Sequence, residues 1–350
     1  MVVCGIDPHK STLTAVTADQ AGRKLTQRTV GARQQDWLAL LVWARGQAEQ
    51  VLWAVEDGRG LAGGLIRYLL AAGQRIVLVP PKLMARARSS ARTRGKSDPI
   101  DALAVARAAL REDGLPTAHL DQQALDVRLL VDHHDTLVAR RTATINQLRW
   151  HLHDLDPALE AGTPNLTSRR RQTRLTELLH ELPAGVRRDL ALELLTDITD
   201  LTSRVRDLER RIGELVRPLA PTLLDLTGIG VLTAAKIIGE TGGIARFPTS
   251  AMFAAHNGTA PIPVWTGNKP TFRLSRGGNR QLNAALHRMA ITQLRHHPPA
   301  RDYLDRYLQR RPHATRKAAL RALKRHLSDV VYKALKADTT STNNELPAAA

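Results

Sequence analysis

The order of apolar segments in the first hundred residues restricts the fold of this chain more than any other feature. Short runs rich in β-branched residues alternate with amphipathic stretches, which predicts three strands followed by helix, strand, helix, strand and helix. The predicted strands occupy residues 2–7, 12–18, 25–30, 51–56 and 76–80. The chain is therefore expected to begin with an α/β domain.

Carboxylates stand at the ends of two of these strands. Asp7 ends the first strand and Glu56 ends the fourth, while Asp98 and Asp101 follow on the last helix of the region. Because the connections of such a fold bring acids that are far apart in sequence to one edge of a sheet, we expect the four to converge. This order of strands and acids is the arrangement of ribonuclease-H-like nucleotidyl transferases.

The two aspartates on the helix form half of a predicted metal site. Asp98 and Asp101 are three residues apart, so a helix with Pro99 in its first turn presents both carboxylates on one face. Four carboxylates suit Mg²⁺, with Mn²⁺ as an alternative, and two ions about 4 Å apart would polarise a scissile phosphate. The competing interpretation is that these acids cap helices or pair with arginines.

Two near neighbours of the acids are left out of the predicted metal set. Asp57 directly follows Glu56, and His9 stands two residues after Asp7. We expect His9 to contact a phosphate or to support a ligand, and not to bind the metal itself.

A run of cations without an acid precedes the pair of aspartates. The whole chain has the same bias, since 51 Lys and Arg against 33 Asp and Glu give a formal net charge of +18. Nucleic acid is the commonest partner of so basic a protein, and a solvated basic surface is the alternative. The predicted nucleic-acid contacts in this run are Lys82, Arg86, Arg88, Arg92, Arg94 and Lys96.

Two further observations concern the compartment. The single cysteine, Cys4, falls in a predicted core strand, so neither a disulfide within the chain nor a cysteine-rich zinc site is expected. No apolar run approaches the roughly 18 residues of a spanning helix, and the N-terminus lacks a signal-peptide pattern. We expect a cytoplasmic protein without a membrane partner.

Long leucine-rich helices are predicted from about residue 120 to 217. Apolar side chains recur there at steps of three and four, which predicts either an antiparallel helical hairpin or a coiled coil between subunits. Residues 162–171 are the predicted break between the two arms. The positions of the second arm are Leu190, Leu194, Ile198, Leu201, Val205, Leu208, Ile212 and Leu215.

A glycine turn opens the C-terminal third. Gly228 and Gly230 resemble the tight turn of half a helix-hairpin-helix element, which exposes backbone N–H groups to a phosphate. An ordinary turn between helices is the rival interpretation.

A basic irregular loop is predicted between residues 253 and 278, leading into a helix from Asn279. Arg273, Arg276 and Arg280 are its candidate phosphate contacts. More helix is predicted to residue 336, and the tail from Asp338 is expected to be disordered.

Three motifs together resemble the transposases of insertion sequence family 110, which are described as bridge-RNA-guided recombinases. They are GIDPHK near the start, KSDPIDA after the basic run, and a C-terminal GIG turn followed by FAAHNGTAPIP and LSRGGNRQLN. The resemblance covers about residues 2 to 335.

The resemblance implies a RuvC-like domain at 1–118 whose Asp, Glu, Asp, Asp tetrad maps onto Asp7, Glu56, Asp98 and Asp101. It further implies a coiled-coil connector at 119–218 and a mainly helical transposase domain at 219–336, followed by a tail at 337–350. Double-stranded DNA, a guide RNA and a dimer or tetramer are the implied partners, with a composite centre formed by two subunits.

The family also supplies a serine nucleophile, and here this chain departs from the pattern. The position that matches the family's serine, directly before a glycine, is Thr266 in VWTG. Ser275 is the alternative, and loss of strand transfer is a third interpretation. The extra methyl of threonine crowds the hydroxyl, which needs the same activation as that of serine.

The leading hypothesis is a DNA recombinase that works through a covalent protein–DNA intermediate. A first rival is a structure-selective nuclease that keeps the metal site and uses water. A second is a basic nucleic-acid-binding scaffold without activity, in which the acids only balance arginines.

Overall fold

The chain is described here by a computed structural model that covers residues 1–56, 60–80, 83–84, 97–119, 121–162, 165–267, 269–273, 275 and 277–345. It forms two compact units. The first comprises Met1–Leu120 with Ala245–Pro248, and the second comprises Asp121–Ile244 with Thr249–Ala350. The division into three domains with boundaries after residues 118, 218 and 336 stays a prediction.

The first unit is built on a five-stranded sheet in the order β3-β2-β1-β4-β5. β2 is antiparallel to both β1 and β3, whereas β4 is parallel to β1 and β5 is parallel to β4. The predicted order of strands and helices is confirmed. The elements are β1 (Val2–Pro8), β2 (Thr12–Ala18), β3 (Lys24–Gly31), α1 (Gln34–Arg45), β4 (Val51–Glu56), α2 (Gly63–Ala71), β5 (Arg75–Val79) and α3 (Asp98–Arg111).

Both faces of the sheet are covered at its centre, which explains why β1 and β4 are continuous apolar runs. Successive side chains of a strand point to opposite faces. Ile6 of β1 packs with Trp53 and with Leu65 of α2 on one face, while Val3 packs with Val105 of α3 on the other. β1 therefore lies at the centre of the unit.

α3 lies directly against the backbone of β1. A Cβ atom added to Gly5 would clash with the carbonyl oxygen of Ala102 and would lie 2.6 Å from the backbone nitrogen of Ala106. Only glycine allows so close an approach of helix and strand. This contact brings the start of α3 near the end of β1.

The prediction that Cys4 lies in a core strand is confirmed. Cys4 is fully buried in β1 as a free thiol, and burial raises its pKa. In the described part of the chain, no helix combines the length and the apolar character needed to cross a membrane.

Two long helices dominate the second unit and pack antiparallel within one chain. Leu148 and Leu152 of the first helix cluster with Leu195 of the second, and Leu137 clusters with Val205. The order along one helix is thus the reverse of that along the other, as in the first of the two predicted alternatives. The elements are α4 (Gln122–Leu155), α5 (Pro157–Ala161), α6 (Arg169–Glu181) and α7 (Val186–Leu219).

The buried stripe of α7 differs from the predicted one at both ends. Leu190 and Leu215 are each 40% exposed, and the neighbouring Ala191 and Val216 are buried instead. At both ends the buried position is one residue further along the helix than predicted. The predicted positions Ile198, Val205, Leu208 and Ile212 are buried, as expected.

The rest of the second unit is mainly helical and contains one hairpin. The predicted irregular loop holds two short antiparallel strands, whose pattern in the sequence is obscured by two prolines. Asn279 caps the following helix, as expected. The elements are α8 (Pro221–Leu224), α9 (Val231–Thr241), a 3₁₀ turn (Ile244–Arg246), α10 (Ser250–His256), β6 (Ile262–Thr266), β7 (Lys269–Arg273), α11 (Arg280–His296), α12 (Pro298–Arg310) and α13 (Arg316–Glu345).

The expectation of a disordered tail from Asp338 is wrong for its first eight residues, because α13 continues to Glu345. The carboxylate of Asp338 is buried and accepts hydrogen bonds from the backbone N–H groups of Thr222 at 2.8 Å and Leu223 at 3.2 Å. It thereby satisfies donors at the start of α8 that the helix itself leaves unpaired. Polar composition suggested disorder, but this long-range contact favours helix.

Candidate metal centre

Asp7 lies near the C-terminal end of the central strand. It pairs with Thr14 of β2, and its neighbour Ile6 pairs with Val55 of β4. Asp7 is only 7% exposed, and its carboxylate lies close to the start of α3. A buried carboxylate at a strand end is a costly feature unless a cation or hydrogen bonds compensate it.

Asp98 and Asp101 both lie in the first turn of α3, as predicted. Ser97 precedes the helix and Pro99 occupies its second position, where no backbone N–H is required. Asp98 is exposed and Asp101 is buried. The positive end of the helix dipole favours two carboxylates there.

His9 joins Asp7 to Asp98. Its Nε2 atom lies 3.3 Å from Oδ2 of Asp7 and 3.2 Å from Oδ1 of Asp98. One ligand atom from each of the three residues lies within 4.8 Å of the other two, a grouping that could hold a metal ion. Sequence reasoning left His9 outside the metal set.

The position of His9 follows from the turn after β1. Its backbone N–H donates to the carbonyl oxygen of Thr12 at 2.8 Å, which closes the connection between β1 and β2. The signal available in the sequence was a histidine two residues after a strand-end aspartate. The pattern alone does not say in which direction the turn points the ring.

Glu56 and Asp101 are not members of the group of three. Glu56 ends β4 at the same edge of the sheet as Asp7, because Ile6 and Val55 are paired in parallel strands. Asp101 is close enough for its charge to act on Asp7. The structure thus brings Asp7 and Asp98 together, with Asp101 beside them and Glu56 on the adjacent strand.

Burial raises the pKa of Asp7 above its ordinary value of 3.8 and is the largest influence on it. The charge of His9 lowers this pKa, whereas the negative charges of Asp101 and Asp98 raise it. Carboxylates held this close repel one another when ionised, and a cation between them relieves that repulsion. The acidic cluster is therefore suited to a divalent metal ion.

The donor set fits such an ion. Two carboxylates supply the oxygen ligands that Mg²⁺ and Mn²⁺ prefer, and an imidazole nitrogen adds a ligand that suits transition metals better than Mg²⁺. The exposed side chain of Asp98 leaves the group accessible to a substrate phosphate.

Part of the predicted nucleic-acid surface lies outside the described residues. This applies to Arg276 and to the six cations of the basic run, Lys82, Arg86, Arg88, Arg92, Arg94 and Lys96. Arg273 and Arg280 are described, and both are exposed.

The two candidate hydroxyls belong to the second unit. Thr266 is the last residue of β6, pairs with Lys269 and precedes Gly267, whose φ is +60°. Ser275 is half-buried and lines a basic cleft together with Arg273 and Arg280.

The Gly228 turn is packed against α11. Gly228 has φ +89°, and a Cβ atom there would lie 3.0 Å from the carbonyl oxygen of Met289. The side chain of Gln293 donates to the carbonyl oxygen of Thr227 at 2.8 Å. Gly230 directly precedes α9 in extended conformation. These contacts fit an ordinary turn between helices, and the helix-hairpin-helix interpretation stays a prediction.

Two family models match the chain. One, described as DEDD_Tnp_IS110, Transposase, matches residues 4–157, and the other, described as Transposase IS116/IS110/IS902 family, matches residues 220–305. The first match contains all four predicted acids, and the second contains both candidate hydroxyls.

Curated relatives of similar length come from insertion elements. The IS116 uncharacterized 44.8 kDa protein of Streptomyces clavuligerus is 27% identical over 95% of this chain and 94% of its own length. The IS900 uncharacterized 42 kDa protein of Mycobacterium paratuberculosis is 28% identical over 87% of this chain and 88% of its own. The transposase for insertion sequence element IS1111A of Coxiella burnetii is 25% identical over 84% of this chain and 78% of its own.

Among solved structures, T. thermophilus RuvC in complex with Holliday junction substrate aligns with 31% of this chain and 93% of that chain. The identity is 20% and the TM-score is 0.26. The fold of the first unit is therefore described by its strand order and not by this alignment.

Proposed function

Because this chain resembles the IS110 family of insertion-element transposases, we propose that it is a DNA recombinase that breaks and rejoins phosphodiester bonds at the acidic centre of its first unit. The proposal depends on one observation, which is that Asp7 and Asp98 both contact Nε2 of His9. These acids come from a strand and a helix far apart in the sequence. Such convergence is typical of a site that binds a cation and a phosphate together.

The four acids would hold divalent ions, Mg²⁺ by preference and Mn²⁺ as the alternative. When bound, such ions neutralise the negative charge of the scissile phosphate and polarise its oxygens. The protein's own contribution is placement. Asp7 is fixed by the sheet, Asp98 and Asp101 are fixed by the first turn of α3, and Glu56 ends the neighbouring strand.

The finer mechanism uses a side-chain hydroxyl as nucleophile. The oxygen of Thr266, or alternatively that of Ser275, would form a bond to phosphorus while the bond from phosphorus to the 3′ oxygen of the DNA breaks. The hydroxyl proton ends on that 3′ oxygen. A second DNA strand would then attack the phospho-enzyme with its own 3′ hydroxyl and restore the free side chain.

The partners follow the same resemblance. Double-stranded DNA of the element ends and of the target is the proposed substrate, and a guide RNA encoded by the element would select both by base pairing. A dimer or tetramer would supply the acids from one subunit and the hydroxyl from another. The charge of +18 supports binding to two polyanions, since lysine and arginine side chains neutralise backbone phosphates.

DNA cleavage by acidic-site variants tests the proposal. Purified protein would be mixed with labelled duplex containing an element end and with RNA transcribed from the flanking element sequence, with Mg²⁺ or with EDTA. We expect Asp7→Asn and Asp98→Asn to lower the rate of cleavage by at least about a hundredfold, because loss of a residue that only supports a metal ligand already costs up to about that much. Asp113→Asn, which removes an exposed carboxylate beyond α3, is the matched control and should retain activity.

The products separate the proposal from its rivals. An SDS-stable protein–DNA adduct is expected for a hydroxyl nucleophile, whereas cut ends without any adduct would point to a nuclease that uses water. Calorimetric titration with Mg²⁺ provides the second criterion. If Asp7→Asn binds the ion as tightly as the unmodified protein does, the acids are not a metal centre and the scaffold interpretation gains support.

A further inference from the structure

The second unit contains a large cleft that the acidic centre does not explain. Its volume is about 1480 Å³, and its lining comes from the loop around Gly258, from β7 and from α11, α12 and α13. Pockets for small molecules measure about 300–1,000 Å³. A cleft of this size is suited to an extended ligand.

The cleft is strongly basic. Among the described residues, seven arginines and one lysine line it, and Asp329 is its single acidic residue. Nη1 of Arg325 lies 2.6 Å from Oδ1 of Asp329, so this acid is already paired within the cleft wall. The remaining cations give the cleft a large excess of positive charge, which favours a polyanion over a singly charged ligand.

The lysine of the cleft is held in a fixed position. Nζ of Lys324 donates to Oδ1 of Asn283 at 2.6 Å, and Nδ2 of Asn283 donates to the carbonyl oxygen of Asn257 at 2.8 Å. Asn257 is fully buried, and its Nδ2 donates to Oγ of Ser328 at 2.8 Å. An amide oxygen orients the ammonium group without neutralising it, whereas burial lowers the pKa of Lys324. A phosphate bound beside this lysine would favour its charged form.

Aromatic rings accompany the cations. Phe272 of β7 lines the cleft and is 66% exposed. The rings of Tyr303 and His326 stack with centroids 5.5 Å apart and planes inclined by 18°, and both line the cleft. Exposed ring faces beside arginines are the combination that holds single-stranded nucleic acids, because bases stack on the rings while cations bind the phosphates.

We propose that this cleft binds unpaired nucleotides of a DNA strand, with bases stacking on Phe272 and on the Tyr303–His326 pair, and phosphates contacting Lys324 and the arginines. The proposal rests on the proposed function for its DNA partner and deepens it by naming the form of DNA that is bound. A paired base has both faces covered by its neighbours in the duplex. Away from the ends of a duplex, only an unpaired base can offer a face to Phe272.

Fluorescence anisotropy with the full chain tests the proposal. The probes are a fluorescein-labelled oligothymidine of roughly ten nucleotides, a length within the usual range for single-strand sites, and a blunt duplex of the same length. Both titrations contain EDTA, so the acidic centre does not contribute through a metal ion. We expect Phe272→Leu to weaken binding of the single strand by about fivefold or more, because it keeps an apolar side chain and removes the stacking face.

The arginines of α12 give a second measurement. Arg306 and Arg310 line the cleft, whereas Arg301 on the same helix is exposed elsewhere. We expect Arg310→Gln to reduce the slope of log K against log salt concentration by about 0.7, the value for one phosphate contact to a single strand. Arg301→Gln, the matched control, should leave the slope unchanged.

Trp150→Leu removes another exposed ring, which is 77% exposed on α4 and does not line the cleft, and this change should leave the affinity unaltered. Equal losses for single strand and duplex in Phe272→Leu, or no loss for either, would overturn the proposal. Such a result would leave metal-dependent cleavage by the unmodified protein intact, so the proposed function and this inference can fail separately.

Discussion

Nε2 of His9 lies 3.3 Å from Oδ2 of Asp7, and the same nitrogen is 3.2 Å from Oδ1 of Asp98. One imidazole therefore contacts acids from both elements of the centre, at the place where a cation would be attracted. A nitrogen donor among carboxylates favours transition metals relative to Mg²⁺.

His9→Gln should accordingly alter the choice of ion. We expect the variant to bind Mn²⁺ roughly tenfold more weakly than the unmodified protein does. Its affinity for Mg²⁺ should change less, because Mg²⁺ prefers oxygen ligands to an imidazole nitrogen. Isothermal titration calorimetry with each ion measures both effects. His133→Gln, an exposed histidine of α4, is the control. Equal affinities of His9→Gln and the unmodified protein for Mn²⁺ would show that His9 is not a ligand.

Asp7→Asn should make the metal-free protein more stable above the ordinary titration range of aspartate. Burial, together with Asp101 and Asp98, raises the pKa of Asp7, so the folded protein keeps this proton to higher pH than the unfolded chain does. The contribution of Asp7 to the free energy of unfolding therefore falls as pH rises from 3.8 through the folded pKa. Above the folded pKa this contribution no longer changes with pH. The variant lacks this decrease.

Urea denaturation in EDTA at a series of pH values from 3 to 8, roughly the span over which carboxylates titrate, measures this difference. The two proteins should converge at the acidic end and separate as pH rises. A variant that is less stable than the unmodified protein at neutral pH would contradict the expectation. Asp113→Asn should follow the unmodified protein throughout.

Gly278→Ala should destabilise the second unit. Gly278 has φ +84°, and an added Cβ atom would lie 2.6 Å from the carbonyl oxygen of His256 and 2.7 Å from the nitrogen of Gly258. Both the left-handed backbone and the clash oppose alanine, so the free energy of unfolding should drop by about 2 kcal/mol or more.

The matched control for this change is Gly185→Ala. Gly185 has an extended backbone, with φ 172°, and nothing lies within 4 Å of the added atom. Its effect should stay within about 0.5 kcal/mol. If both variants lose a similar free energy of unfolding, the close contact between Gly278 and Gly258 is not the cause of the loss.

The nucleophile can be identified by the loss of the protein–DNA adduct. We expect Thr266→Ala to abolish the SDS-stable adduct, Thr266→Ser to retain it, and Ser275→Ala to retain it. Serine restores the hydroxyl without the methyl that crowds it, so the conservative change separates chemistry from local folding. An adduct that persists in Thr266→Ala and disappears in Ser275→Ala would transfer the role to Ser275.

The fold of the first unit could be predicted because its strands carry their own signals. Continuous β-branched runs mark β1 and β4 as buried on both faces, and Pro99 with two aspartates marks the first turn of α3. The side chains at strand ends were visible in the same way. Those features depend on neighbours within a few residues.

Features that depend on distant contacts were missed. His9 reaches Asp98 only because the turn to β2 directs its ring across the edge of the sheet. Asp338 keeps the last helix intact by binding the start of α8, more than a hundred residues earlier. Neither partner can be read from local pattern. The sequence predicts a supporting role for His9 without naming Asp98 as its partner, and it predicts disorder where α13 continues.

The glycine at position 5 has a consequence for how such a centre can evolve. At this one position no side chain separates β1 from α3, and their peptide groups are in direct contact close to the acids. A single added methyl group at Gly5 would act as a wedge, pushing the helix that carries Asp98 and Asp101 away from the strand that carries Asp7.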